Sequence, residues 1–545
     1  MEGTGYTIFS GDKVEPFRFQ VIGLMPNLVG PRRNIVLVRL IGPKVAQMGV
    51  AAGMSGSPLF IDGKLIGALS LRFGEFTKDP IGGVTPIEEM IHDREPGKSV
   101  SGRARARPFG VAADGSLPQG SLIQPIQTQL VSSGFYPGVL EQFSRQFAAL
   151  GMSGVQGGSG PDSGRQANIG PGTMVAVVLA KGDLSLSGSC TVTAVVNNQI
   201  FACGHAILGF GKISMPLARA HVLATIASPL SPTKIINVGD VIGTVTEDRA
   251  TAVVASLGPP PPMIPVQLTL EGASKEQQFS FEVVDHPQLT PLLVGVSILN
   301  GLVASNSYIG ESTLQVTGNI FVEGHSSVRL QDTFTPGDQA LPDEYAIAAS
   351  LQALFTKLFT NPYEQPKIKK VELRVHSMPE KRWARIDGAW SEKTEVVAGD
   401  NVIVKVLLRP YRGAPFIKEV PVTIPAQAPR GSLRVLVSDA DTLNRSGQLF
   451  TSDPQARLAG LEELILLNNR QQRNDSLYIT LLQPSPTLLL QAKELPDLPA
   501  SQINVLAPRR DQGDSVLLWE STAGQWSVPM NQVISGQQYL NLTIR

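Results

Sequence analysis

Gly53-Met54-Ser55-Gly56-Ser57-Pro58-Leu59-Phe60, followed by Ile61-Asp62-Gly63-Lys64-Leu65-Ile66-Gly67, reads as a serine hydroxyl held in a glycine turn between two short strands. Glycine lets backbone N–H groups approach a substrate carbonyl with no Cβ in the way. Pro58 sets the exit from the turn, and the apolar run after it anchors the turn to a core. Acyl transfer to serine needs this combination of an exposed hydroxyl and converging donors. The N–H groups of Gly53 and Ser55 are the expected oxyanion donors, each of a kind typically worth roughly 3 kcal/mol in the transition state.

A serine hydroxyl is a poor nucleophile until a base takes its proton, and imidazole is the usual base because it titrates near neutrality. The six histidines are His92, His205, His221, His286, His325 and His376. His205 is the candidate, because Phe201-Ala202-Cys203-Gly204-His205-Ala206-Ile207 places it just past an apolar strand and a glycine, where the ring faces a cleft. His92 lies among charged residues and His286 before Pro287, so both read as surface residues. His221 falls in 217–224, a short helical pattern in which packing or capping accounts for it. The third member of a triad is a buried acid that orients the imidazole. Asp248, after a strand, is taken first, with Asp240 and Asp183 as alternatives. A bare Gly-Met-Ser-Gly is weak evidence, since it recurs at Gly151-Met152-Ser153-Gly154 without the proline exit or the strand pair.

The sequence carries no phosphate loop, zinc-protease helix, C-x-x-C pair or dinucleotide fingerprint, so no metal and no cofactor is expected. Lys+Arg and Asp+Glu stand at 46 each, a formal net charge of zero, which argues against a broad nucleic-acid or anionic-lipid surface. The run Arg103-Ala104-Arg105-Ala106-Arg107 reads as a solvated linker. No stretch reaches the ~18 apolar residues of a membrane span; 292–304 is only about 13 long and contains Ser297 and Asn300. Met1 leads directly into Glu2-Gly3-Thr4-Gly5 and a strand pattern, so no signal segment is visible. With two cysteines, Cys190 and Cys203, a disulfide framework and a four-thiolate metal site are excluded. They flank a hairpin turning at Asn197-Asn198; two buried free thiols are expected, with a cross-strand disulfide as the alternative.

Glycine at 53, proline at 41 and short runs of Val, Ile, Leu and Thr predict a mainly β protein with many turns. A chain of 545 residues exceeds one core. The expected division is a serine-bearing β module at 1–96, a linker and excursion at 97–172, and a histidine-bearing β module at 173–262. A β extension at 263–335 repeats the opening hairpin, Phe279-Ser280-Phe281-Glu282-Val283 echoing Phe17-Arg18-Phe19-Gln20-Val21. A helix and connector at 336–366 follow, with the helix over 342–360, then a β-sandwich-like domain at 367–437 and an α+β domain at 438–545 with a helix over 456–468.

The serine segment, continued through Ala68, resembles the nucleophile segment of the SpoIVB-type serine peptidases, peptidase family S55, and more distantly that of chymotrypsin-like and HtrA-like enzymes. Asp79-Pro80-Ile81-Gly82-Gly83-Val84-Thr85-Pro86-Ile87-Glu88-Glu89-Met90 resembles the stretch that follows the nucleophile there. Gly204-His205 is similar to the surroundings of the catalytic histidine, and Gly239-Asp240-Val241-Ile242-Gly243-Thr244-Val245-Thr246 to the segment beyond it. The likeness covers roughly 4–92 and 170–260. It implies a chymotrypsin-like pair of small β-barrels with Ser55 as nucleophile and His205 as base in the cleft between them, a protein or peptide substrate, and an extracytoplasmic bacterial setting. Three departures stand out. The serine segment precedes the histidine segment, a permuted order. The position of the family's acid, in Leu40-Ile41-Gly42-Pro43, holds Gly42. No PDZ-like domain precedes the serine module, and a long β-rich C-terminal half takes its place. A noncatalytic envelope scaffold that keeps a peptidase-like domain for peptide binding is the alternative function.

Overall fold

The computed structural model describes residues 1–73, 79–92, 123–160, 168–228, 231–272, 276–305, 312–335, 342–449, 460–490, 493–495, 498–506 and 515–545; the arginine run at 103–107 lies outside them. The fold is mainly β, 54% strand against 17% helix, as the turn-rich composition predicts. The chain forms two compact units, one of Met1–Met263 with Phe281–Asp285, the other of Ile264–Ser280 with His286–Arg545.

The first unit opens with β1 (Glu2–Ile8), β2 (Val14–Met25), β3 (Ile35–Ile41), a short helix α1 (Pro43–Met48), β4 (Pro58–Ile61), β5 (Lys64–Phe73), β6 (Ile81–Pro86) and α2 (Ile87–His92). In β2 the period of two is plain: Phe17 and Phe19 are buried while Arg18 and Gln20 face solvent. Antiparallel pairing runs β1-β2-β3-β6-β5-β4 and returns to β1, closing a six-stranded ring. Phe17, Phe19, Val38, Leu40, Met54, Leu59, Leu69 and Val84 form one apolar cluster of this ring.

Next come β7 (Ile123–Pro125), β8 (Thr128–Ser133), α3 (Pro137–Ala148), β9 (Met152–Gln156) and β10 (Gly158–Ser159). The second Gly-Met-Ser-Gly therefore runs into β9, which pairs in parallel with β8, instead of forming a turn between a strand pair. A second ring follows from β11 (Met174–Gly182), β12 (Ser185–Val196), β13 (Gln199–Ala202), β14 (Gly211–Ile226), β15 (Thr233–Arg249) and β16 (Ala252–Leu257). Its antiparallel pairings run β11-β12-β13-β16-β15-β14 and back to β11, the same cyclic order as the first ring. The expected pair of small β-barrels is present, and closure leaves neither ring with free edges of its own.

Two expectations for this unit are corrected. Residues 217–224 are not helical: they belong to the 16-residue β14, where His221 pairs with Asn237 of β15. The apolar spacing that suggests a helix is overridden by barrel closure, which needs long, bulged strands. Cys190 and Cys203 are not free thiols. They form a disulfide, the Cα atoms 5.1 Å apart, because the β12–β13 register sets them nearly opposite where the hairpin ends.

In the second unit, β17 (Met263–Glu271), β18 (Glu276–Val284), the helix α4 (Thr290–Ser305), β19 (Thr313–Val322), β20 (Val328–Phe334), the helix α5 (Asp343–Phe359) and β21 (Ile368–Met378) come first, β17 and β18 being shared at their ends with the first unit. The strand containing Phe279 and Phe281 lies in neither ring, so its echo of β2 is two amphipathic strands looking alike; the repetition in the fold is ring against ring. The helix at 342–360 forms as predicted; of that at 456–468, residues 456–459 lie outside the described residues and the helix spans Leu461–Asn469. Strands before and after residue 437 share one core. Val402, Val404, Val406 and Val420 pack with Leu433, Val435, Leu477, Ile479 and Leu542, so the sandwich extends through both stretches that the sequence divides at 437 and 438.

Candidate functional site

Ser55 lies at the junction of the two rings. Along β12, β8 pairs with Ser185 to Ser189 and β13 with Val192 to Val196, leaving a gap at Thr191 that the serine turn fills. The Thr191 N–H donates to the Ser55 carbonyl at 2.8 Å, the Thr191 hydroxyl to the Gly53 carbonyl at 2.9 Å, and the Thr193 hydroxyl to the Gly56 carbonyl at 2.8 Å. Both bracketing glycines have left-handed backbone, Gly53 at φ 90° and Gly56 at φ 91°. A Cβ on Gly56 would overlap the Thr191 carbonyl oxygen and stand 2.6 Å from the Cys203 nitrogen. On the other side of the turn, Ala52 forms a short parallel bridge with Thr233, its N–H donating to the Pro232 carbonyl and its carbonyl accepting the Lys234 N–H.

The histidine turn is locked to the same place. Cys203 has φ 70° and Gly204 φ 73°, and the Thr85 hydroxyl of β6 donates to the Gly204 carbonyl at 2.7 Å. Gly204 packs so closely that a Cβ would come within 2.8 Å of the Ala68 Cβ. The disulfide to Cys190 ties this turn to β12, the strand that grips the serine turn. Ser55 and His205 are thus carried by two segments in direct contact.

The His205 Nδ1 lies 2.7 Å from the Ala206 carbonyl oxygen. A carbonyl only accepts, so Nδ1 carries the proton and Nε2 of the neutral ring keeps its lone pair. Burial lowers the pKa of His205 below the ordinary histidine value, with the Ala206 contact acting in the opposite sense. At neutral pH the ring is therefore an uncharged base. Nε2 and the Ser55 Oγ are both buried without a hydrogen-bond partner, as are the hydroxyls of Ser57 and Ser187. An orphan of this kind typically costs ~1–3 kcal/mol. Neither the Gly53 nor the Ser55 N–H meets an acceptor among the described residues, whereas Met54, Gly56 and Ser57 donate to carbonyls. The exposure expected of the nucleophile is not found: Ser55 is 0% and His205 7% exposed. The cause is the interlock itself, which closes β12 over the turn.

The acid is placed differently from expectation. Asp248 is buried, but its oxygens accept the N–H groups of Ile207 at 2.8 Å and of Leu208 and Gly209 at 2.7 Å. It pins the loop after His205, and the His205 Nδ1 is taken by Ala206. Burial raises the Asp248 pKa, the backbone donors opposing it. Asp240 is exposed on β15 and Asp183 is exposed in the turn between β11 and β12. Gly42, the position at which the resemblance sets an acid, precedes α1 with φ 138°. A close histidine–carboxylate pair in this unit is His221 Nδ1 with Asp12 Oδ1, 2.6 Å, joining β14 to the turn after β1. His286 belongs to the second unit, where burial lowers its pKa to about 4. Among the described residues no group of three or more His, Cys, Asp and Glu is placed to hold a metal ion.

Two features escape a sequence reading centred on serine and histidine. Ser185, Ser187, Ser189, Thr191 and Thr193 are all buried along β12, and the Thr191 and Thr193 hydroxyls reach the serine turn. Lys234 is wholly buried beside Gly53. Each has a signal in the alternation: Lys234, Ile236 and Val238 share a buried face two residues apart. No protein-family model, curated protein or solved structure matches the chain.

Proposed function

We propose that the chain is a serine endopeptidase of the SpoIVB or S55 type, narrow in specificity and acting on a protein or peptide substrate outside the cytoplasm. Ser55 Oγ attacks the scissile carbonyl as His205 Nε2 takes its proton. The Gly53 and Ser55 N–H groups receive the oxyanion, and His205 returns the proton to the leaving amine before water hydrolyses the acyl-enzyme. In this reading the Ala206 carbonyl, in place of a carboxylate, holds the imidazolium. The observation that carries the reading is a serine hydroxyl and an imidazole nitrogen in the basic tautomer, on two segments in contact but not hydrogen-bonded to each other and each without a partner, beside two unmet N–H groups two residues apart in the serine turn. The enclosure of Ser55 supports selectivity, since only a substrate that opens the junction reaches the hydroxyl. The Cys190–Cys203 disulfide supports an oxidising compartment.

That same enclosure, together with Gly42, favours the second reading, a noncatalytic envelope scaffold that binds peptides through a peptidase-like domain. Labelling with a serine-directed fluorophosphonate separates the two. The peptidase reading expects labelling of the full chain that is lost in Ser55→Ala and in His205→Ala; labelling that survives Ser55→Ala, or none in the wild type, contradicts it.

A further inference from the structure

Lys234 is a lysine whose side chain is 0% exposed in the same junction. Its stem runs along Gly53: a Cβ on that glycine would stand 3.0 Å from the Gln129 Oε1, 3.1 Å from the Lys234 Cδ and 3.4 Å from its Cβ, so the lysine stem and the Gln129 amide pack closely against the bare Gly53. Nζ donates to the Thr7 hydroxyl of β1 at 2.8 Å and lies 3.5 Å from the Met174 sulfur of β11. Met174 also receives the Thr191 hydroxyl at 3.2 Å, the same hydroxyl that reaches the Gly53 carbonyl. Gln129 of β8 closes the pocket, its amide bonded to the Lys234 carbonyl at 2.9 Å. The side chains that meet the lysine from β1, β8 and β11 are therefore Thr7, Gln129 and Met174, and the turn offers Gly53; none of them ionises. Burial alone lowers the Lys234 pKa, to about 7, with no neighbouring charge contributing. An ammonium held without a carboxylate is an expensive feature for a core to retain, and an apolar residue of the same length fills the space at less cost.

We propose that Lys234 is a positioning residue of the serine site, its side chain bracing the Gly53 turn from behind and its ammonium placing positive charge at the back of the Gly53 and Ser55 N–H pair that meets the oxyanion. The inference rests on the serine peptidase reading and adds to it a cation that acts through the turn without touching the substrate. A charge that is present only while Nζ is protonated gives the reaction a basic limb. The rate climbs as His205 loses its proton, at a pH below the ordinary histidine range, and falls as Lys234 loses its own near pH 7.

The test is the rate constant of fluorophosphonate labelling of the full chain between pH 5 and pH 9, for wild type, Lys234→Met and Thr7→Val. Lys234→Met is expected to label about 10- to 100-fold more slowly at pH 6.5, less than or comparable to the loss of a direct oxyanion donor, and to lose the decline above pH 7. Thr7→Val keeps the lysine but removes the hydroxyl that accepts from the ammonium, so its basic limb moves to lower pH. This variant decides the question if Lys234→Met does not fold. A wild-type profile without a basic limb, or a basic limb unmoved in both variants, overturns the inference and leaves the peptidase reading in place. Absence of labelling in the wild type overturns both.

Discussion

Asp248→Asn separates a loop pin from a triad acid. In the wild type four backbone N–H groups, from Ile207, Leu208, Gly209 and Phe210, converge on one buried carboxylate. Hydrogen bonds to a charged acceptor are worth ~1.5–3 kcal/mol each, against about 1 kcal/mol for neutral ones. Asparagine offers one oxygen, and its NH2 group faces at least one of these donors, so a bond is lost outright and the others weaken. Relief from burying a charge, a few kcal/mol, offsets part of this. The net expectation is a local loss of ~3 kcal/mol, or about a hundredfold more frequent opening of the loop after His205. Hydrogen–deuterium exchange of the amides at 207–209 reads that opening directly. Fluorophosphonate labelling is expected to fall by no more than about the same factor, since His205 keeps its bond to Ala206. If Asp248 instead oriented the imidazole, exchange would be unchanged and labelling would drop by roughly 10⁴-fold, the scale seen when a triad aspartate becomes asparagine. That outcome refutes the assignment of Asp248 as a pin.

Other perturbations give distinct results. Ser55→Ala removes a buried hydroxyl that has no partner, so it is expected to leave the first unit as stable as the wild type or ~1 kcal/mol more so, measured by thermal unfolding followed by far-UV circular dichroism. Gly56→Ala, by contrast, is expected to cost ~4 kcal/mol or more, because left-handed backbone and overlap with Thr191 and Cys203 act together. Lys234→Met changes how stability depends on pH. The folded pKa, about 7, lies below the unfolded value of 10.5, so between those values the unfolded chain binds more protons and wild-type stability rises with pH by about 1.4 kcal/mol per unit. The variant is therefore expected to exceed the wild type most at pH 7 and below, the difference closing by pH 10.5. Exchange of amides in β14 and β15 follows this, with tryptophan fluorescence as a control, since Trp383, Trp390, Trp519 and Trp526 all lie in the second unit. Reduction of Cys190–Cys203 is expected to raise exchange at the amides of Cys203 and Gly204 while leaving the second unit's fluorescence unaltered.

Much of the first barrel is legible in the sequence because its signals are local. Gly53 and Gly56 bracket the serine, Phe17 and Phe19 alternate with Arg18 and Gln20, and Pro58 opens the strand that leaves the turn. His205 is found for the same reason, at the glycine that ends an apolar strand. What fails is decided by distant partners. His221 sits in a segment with helical spacing that becomes strand only because β14 must join β11 to β15. The burial of Ser55 comes from the gap between β8 and β13, chain segments more than 70 residues downstream. Asp248 follows a strand, as a triad acid would, but its carboxylate is claimed by the N–H groups of Ile207, Leu208, Gly209 and Phe210, far earlier in the chain. The disulfide turns on a hairpin register that the cysteine spacing leaves open.

In the proposed peptidase the Ser55 hydroxyl and the His205 Nε2 act together on a carbonyl. Mass-spectrometric mapping of the fluorophosphonate adduct in the wild-type chain puts this pairing to the test. A single modified residue, Ser55, is expected, with an acid limb to the modification rate that lies below the ordinary histidine pKa and disappears in His205→Ala along with the reaction. An adduct on Ser57 or Ser187, or a Ser55 adduct formed at the same rate without His205, would contradict it.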